Sequence, residues 1–255
     1  IREKKYLIKS FMILLHIIYI NIIFILRGKF MKKTVNKNQV SKINIKDAET
    51  FTHGEEIGNF VSHTVGSGLS IIALFVLTIR ASLTRDAGTI VSFMVFGFGL
   101  TVLYTMSSIY HGLHPGIAKK IFEILDHSAI YILIAATYTP FLYLVVDSPT
   151  NKIILALQWT TCFLGILFKV FFTGKFKVFS TLIYLFMGWM IVIAWGSLIT
   201  NINKVSLICL VIGGLLYSLG TIFYQWKICK FNHMIWHIFV MLGSIAHFIS
   251  VFYLI

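Results

Sequence analysis

Charge is scarce in this sequence: only 12% of its 255 residues are Asp, Glu, Lys or Arg, where a soluble domain carries about 25%. With 58% of the residues hydrophobic and a mean hydropathy of +0.87, a water-soluble fold is excluded. Acidic side chains are scarcest, 9 against 22 Lys and Arg. Read without position, that excess would suggest a nucleic-acid partner. Position rejects it, because eleven of the basic residues precede residue 50 and most others sit in short breaks between apolar runs, the distribution that sets membrane topology. Cysteine is equally sparse. Cys162, Cys209 and Cys229 form no CxxC pair, and the first two lie inside apolar runs; neither a disulfide nor a thiolate metal site is implied. Long linkers, internal repeats and the period-two alternation of a membrane barrel are absent as well.

What is present is a succession of apolar runs long enough to cross a bilayer, which takes roughly 20 residues each. Lipid cannot hydrogen-bond the backbone, so such runs must be helical. The expected class is all-α, a polytopic membrane protein with a seven-helix bundle. The spans are read at 59–80, 89–112, 124–146, 153–173, 178–200, 205–226 and 232–254. Between them stand Arg85-Asp86 with Gly88, His114-Pro115-Gly116, Asp147-Ser148-Pro149, Gly174-Lys175, Asn201 to Lys204 and Lys227 to Asn232, all breaker or charged stretches. Residues 1–30 are read as an upstream extension or extra hydrophobic segment, 31–58 as a cytoplasmic tail, and 59–255 as the membrane domain. Lys119, Lys120, Lys175, Lys177, Lys227 and Lys230 fall in the second, fourth and sixth loops, which places the N-terminus inside and the C-terminus outside.

Ionisable residues at membrane depth are costly and each is a functional hypothesis. Here they gather at helix ends that an N-in, seven-span topology puts on one side. Glu56, Asn59, Ser62 and His63 open span one; Ser107 and His111 close span two; Asp126 and His127 open span three; His233 and His237 open span seven. The four-residue spacing of His233 and His237 puts both imidazoles on one helix face, about 6 Å apart along the axis. Ser107 and His111 repeat it, and Glu56, Asn59 and His63 share a stripe. Three imidazoles, an open position for water and a nearby carboxylate make up the ligand set of a catalytic zinc site; calcium or magnesium would demand more oxygens. A single HxxxH is more often a polar helix contact, and His111 with Asp126 is what tips the reading to metal. His127 points about 100° from Asp126 and reads as a packing residue. His247 reads as a polar contact deeper in span seven, and His16, His53 and His114 are given no role.

These residues are also the ones through which the chain resembles the hemolysin III family, the bacterial branch of the progestin and adiponectin receptor superfamily. The marks are E-x-x-N-x-x-S-H from Glu56 to His63, S-x-x-x-H from Ser107 to His111, Asp126-His127, and H-x-x-x-H from His233 to His237. The resemblance runs from about Glu55 to the C-terminus. It implies seven helices, an inside N-terminus and a zinc ion near the cytoplasmic face. By position His111, His233 and His237 match its zinc ligands, Asp126 the acid that holds water at the metal, and Ser107 the serine beside it. Kinship with alkaline ceramidases is implied too, and a plasma-membrane location in a bacterium.

The leading expectation is therefore a zinc-dependent hydrolase of a membrane lipid amide or ester. Asp126 would orient water and carry its proton, and Ser107 would stabilise the oxyanion. A membrane lipid or acyl chain is the expected partner and nucleic acid is not. One alternative is a metal-stabilised membrane sensor without catalysis, in which Asp126 closes the metal shell. Another is a pore-forming cytolysin, for which the spans offer no polar stripe. A channel or transporter would place charge nearer mid-membrane.

Overall fold

The structure is a computed structural model that describes residues 51–145, 148–226 and 228–255; the segments read as 1–30 and most of 31–58, with His16 and Asp147, lie outside the described residues. Among those described, seven helical segments are long and apolar enough to cross a membrane, and none is a strand. They are α1 (His53–Ser82), α2 (Ala87–Gly112), α3 (Ile117–Leu144), α4 (Pro149–Phe172), a broken fifth span Lys177–Asn201, α7 (Lys204–Gln225) and α8 (Asn232–Phe252). The fifth span consists of α5 (Lys177–Trp189), a 3₁₀ stretch (Met190–Ala194) and α6 (Trp195–Asn201).

Four of the helices start at polar side-chain caps, and α1, α2 and α4 thereby begin two to six residues ahead of the apolar runs read from the sequence. Thr52 and Glu55 close a capping box on α1, satisfying two backbone N–H groups that a helix start leaves open. The side chains of Asp86, Ser148 and Asn203 accept from Thr89, Asn151 and Ser206 and start α2, α4 and α7, with Pro149 in the first turn of α4 where its missing N–H costs nothing. Glu56 and Asn59 therefore lie inside α1, in regular helix.

Packing follows the rule for helices in lipid, where small residues let backbones approach and apolar bulk faces outward. On α1 the buried positions are Asn59, His63, Gly66, Ser70, Leu77 and Ala81, a single stripe of helical period, while Ile72, Phe75 and Ile79 are more than half exposed on the lipid side. Gly97 lets α2 press on α1: a Cβ there would stand 2.8 Å from the Leu74 Cα. At one end of the bundle Arg80 Nε donates to the Phe252 carbonyl at 3.0 Å, with its guanidinium over the Phe252 ring, tying the end of α1 to the end of α8. The start of α1, the end of α2 and the start of α8 meet at the opposite end.

The break in the fifth span was not read from the sequence. A 3₁₀ stretch inside a membrane helix disturbs the main-chain hydrogen bonds, and lipid offers no replacement. Side chains from neighbouring helices supply it. Tyr138 Oη on α3 accepts from the Ile191 N–H at 2.7 Å and donates to the Gly188 carbonyl at 2.8 Å, and Gln158 Nε2 on α4 donates to the Met187 carbonyl at 2.8 Å.

Candidate metal centre

At the end where α1 starts, α2 and α8 bring three imidazoles together. One ligand nitrogen from each of His111, His233 and His237 lies within 4.8 Å of the other two, with ring centroids 4.6 to 5.2 Å apart. His111 and His237 are buried and His233 partly so. The spacing of the two α8 histidines and the end of α2 thus converge as the sequence implied.

The far nitrogens decide what the rings offer. His111 Nδ1 donates to Glu56 Oε2 at 2.7 Å, and Lys119 Nζ donates to the other carboxylate oxygen at 2.7 Å. That leaves His111 Nε2 buried with no hydrogen-bond partner. Ser62 Oγ donates to the Asn59 carbonyl at 2.9 Å, so its single proton is spent and it accepts from His237 Nδ1 at 3.1 Å. His237 Nε2 is likewise buried without a partner. Each ring is held in the tautomer that presents an Nε2 lone pair inward, the arrangement that outer partners impose on metal-ligating histidines. Two buried nitrogens without partners would be an unexplained cost in a finished core; an ion removes it. The donor set fits a borderline cation such as zinc better than calcium or magnesium.

Ser107 is fully buried, one helical turn before His111, and its Oγ has no hydrogen-bond partner. Asp126, 5% exposed, lines a cavity of about 140 Å³ together with His63. His63 was placed by spacing on the α1 stripe and given no site role, yet its ring stacks on His237 with centroids 3.5 Å apart, and both its nitrogens are buried without partners. Glu56 and Ser62 were noted as polar openers of span one and as part of the E-x-x-N-x-x-S-H stretch, with no site role. A Glu nearly two helical turns before a Ser-His pair was the available signal; which histidine each would meet depends on how α1 packs. His127 packs as expected, its Nδ1 against the Glu123 carbonyl at 2.7 Å. Phe51 covers the trio from outside, its ring 5.6 Å from that of His111 and 4.7 Å from that of His233.

From this end the cavity runs along the bundle between α3, the fifth span, α7 and α8. On α3 its wall extends from Asp126 to Phe141, a rise of about 22 Å, and the remaining lining is mostly apolar, including Leu133, Ile134, Trp189, Val192 and Val240.

A bundle of seven membrane helices with a histidine trio at one end defines a multi-pass membrane protein with a site able to hold a metal ion. The haemolysin-III related family model matches residues 51–248, and the chain belongs to that family. It is 45% identical over 199 residues to Hemolysin-3 of Bacillus cereus (78% of this chain, 91% of the relative) and 44% identical over 203 residues to the Hemolysin-3 homolog of Bacillus subtilis (80% and 95%). It is also 28% identical over 175 residues to the human monocyte to macrophage differentiation factor (66% and 72%), which supports the link to the wider superfamily. No solved structure matches the chain. A location in the plasma membrane fits its bacterial relatives.

Proposed function

We propose that the trio holds a zinc ion and that the chain hydrolyses an amide or ester of a membrane lipid whose apolar chain occupies the cavity. The observation that carries this reading is the pair of buried Nε2 atoms, on His111 and His237, left without partners by the hydrogen bonds of Glu56 and Ser62 beside the nitrogen of His233. When bound, the ion supplies Lewis acidity, activating water and polarising a carbonyl. The other roles belong to this chain's own groups. Asp126 orients the attacking water and takes its proton, then passes it to the leaving group. The Ser107 hydroxyl donates to the oxygen on which negative charge develops. Glu56 and Ser62 keep His111 and His237 in register. The apolar lining beyond Asp126 binds the chain and excludes bulk water. From the loop charges, we place this end of the bundle at the cytoplasmic face.

The test begins with metal analysis by mass spectrometry of detergent-purified protein. About one zinc per chain is expected, absent after the double change His233→Ala and His237→Ala. The loaded protein is then offered ceramides and acyl lipids. Turnover above that of the double variant supports the hydrolase. Zinc without turnover leaves the metal-stabilised regulator, and metal-independent release of dye from liposomes would instead favour the lytic activity in the name of the Bacillus cereus relative.

A further inference from the structure

The far end of the cavity holds a polar side chain that neither the trio nor the packing uses. His247 on α8 is 5% exposed, lines the cavity, and keeps its Nδ1 buried with no hydrogen-bond partner. Its ring occupies a seat made by Gly213 on α7: a Cβ there would lie 2.6 Å from both Cδ2 and Nε2 of the imidazole. The Tyr217 ring flanks it at 5.1 Å.

Three other polar side chains of the cavity lining, Tyr217, Thr137 and Tyr138, are already engaged. Tyr217 Oη and Tyr104 Oη both meet Ser244 Oγ, at 2.8 and 2.6 Å. Thr137 Oγ1 donates to the Leu133 carbonyl at 2.7 Å, and Tyr138 Oη is spent on the break in the fifth span. A buried nitrogen without a partner costs free energy in an apolar setting, and a phenyl ring would fill the same seat without that cost. His247 stands ten residues beyond His237 on one helix, roughly 15 Å farther along the bundle.

We propose that His247 is a second binding position, one that takes a hydroxyl borne partway along an apolar chain whose head lies at the histidine trio. A hydroxyl is the matching group because it both donates and accepts, so it partners Nδ1 in either imidazole tautomer. The distance from the trio sets where on the chain the hydroxyl must be. The position thus selects hydroxylated chains from the plain ones that dominate a bilayer. The inference rests on the reading of the cavity as a lipid-chain site.

Trp189, Trp195 and Trp236 line the cavity, so occupancy is readable by quenching of their fluorescence with a brominated fatty acid, displaced in turn by three probes. These are octadecanoic acid, its derivative with a hydroxyl at mid-chain, and the positional isomer of that derivative with the hydroxyl beside the carboxyl. The mid-chain isomer is expected to displace the quencher about tenfold more tightly than the other two, as one added hydrogen bond to a buried group allows. In His247→Phe the three acids become equal while the plain acid binds as before. Equal affinities in wild type overturn the inference, as does a mid-chain preference that survives in His247→Phe; the wild-type comparison decides on its own should that variant not fold. If no acid quenches or displaces, the lipid-chain reading falls and this inference with it, while the metal content of the trio stands untouched.

Discussion

Glu56 and Ser62 do similar work with different chemistry, and the difference is measurable. The bond from His111 Nδ1 runs to a carboxylate at 2.7 Å; that from His237 Nδ1 runs to a neutral hydroxyl at 3.1 Å. Charge-assisted hydrogen bonds are about twice as strong as neutral ones, and outer partners of metal ligands are typically worth 10- to 100-fold in affinity. Glu56→Ala is therefore expected to weaken zinc binding toward the upper part of that range and Ser62→Ala toward the lower, measured by competition with a colorimetric chelator. Equal losses would mean that the two contacts only fill space. His63 was legible at this scale only in part. Its place on the α1 stripe follows from helical period, but its stacking on His237 joins two residues 174 positions apart in the chain, which no local spacing encodes.

The helices themselves were legible because lipid imposes a long apolar run on each span, and because Asp86, Ser148-Pro149 and Asn203 are caps that can be read directly. The break at Met190–Ala194 was not. The stretch MIVIA has no proline or glycine, and what permits it lies on other helices, in Tyr138 and Gln158. Removing the Tyr138 hydroxyl strands the Ile191 N–H and the Gly188 carbonyl in an apolar interior at about 1–3 kcal/mol each, so Tyr138→Phe should lower the unfolding midpoint in detergent by several degrees. Gln158→Met should cost less, since the buried Gln158 Oε1 itself has no hydrogen-bond partner and the exchange removes that burden along with the bond to Met187. If both variants melt with the wild type, the break does not depend on these contacts. Gly97→Ala is expected to destabilise as well, because its new methyl would meet the backbone of α1 at Leu74, which cannot rotate aside.

Across the molecule, an ion at the trio would join α2 to α8, and Glu56 fastens α1 to the same point through His111, so helices from both halves of the chain would share one anchor. Binding confined to the folded state stabilises it by about 4 kcal/mol when free ligand exceeds the dissociation constant a thousandfold. A chelator should accordingly lower the unfolding midpoint of wild type and leave that of the His233→Ala, His237→Ala double variant unchanged; an identical shift in both would place the metal elsewhere. The way an ion gets out is a separate matter, and the cover over the trio governs it. Phe51 lies across His111 and His233, and the Lys119–Glu56 pair flanks the same opening with side chains only 14% and 20% exposed. A chelator would not reach the buried ligand nitrogens until that cover lifts, so the residence time of a bound metal would be set by the motion of the protein. Stripping should level off at a rate independent of chelator concentration, and Phe51→Ala should raise that plateau while leaving the equilibrium affinity nearly unchanged.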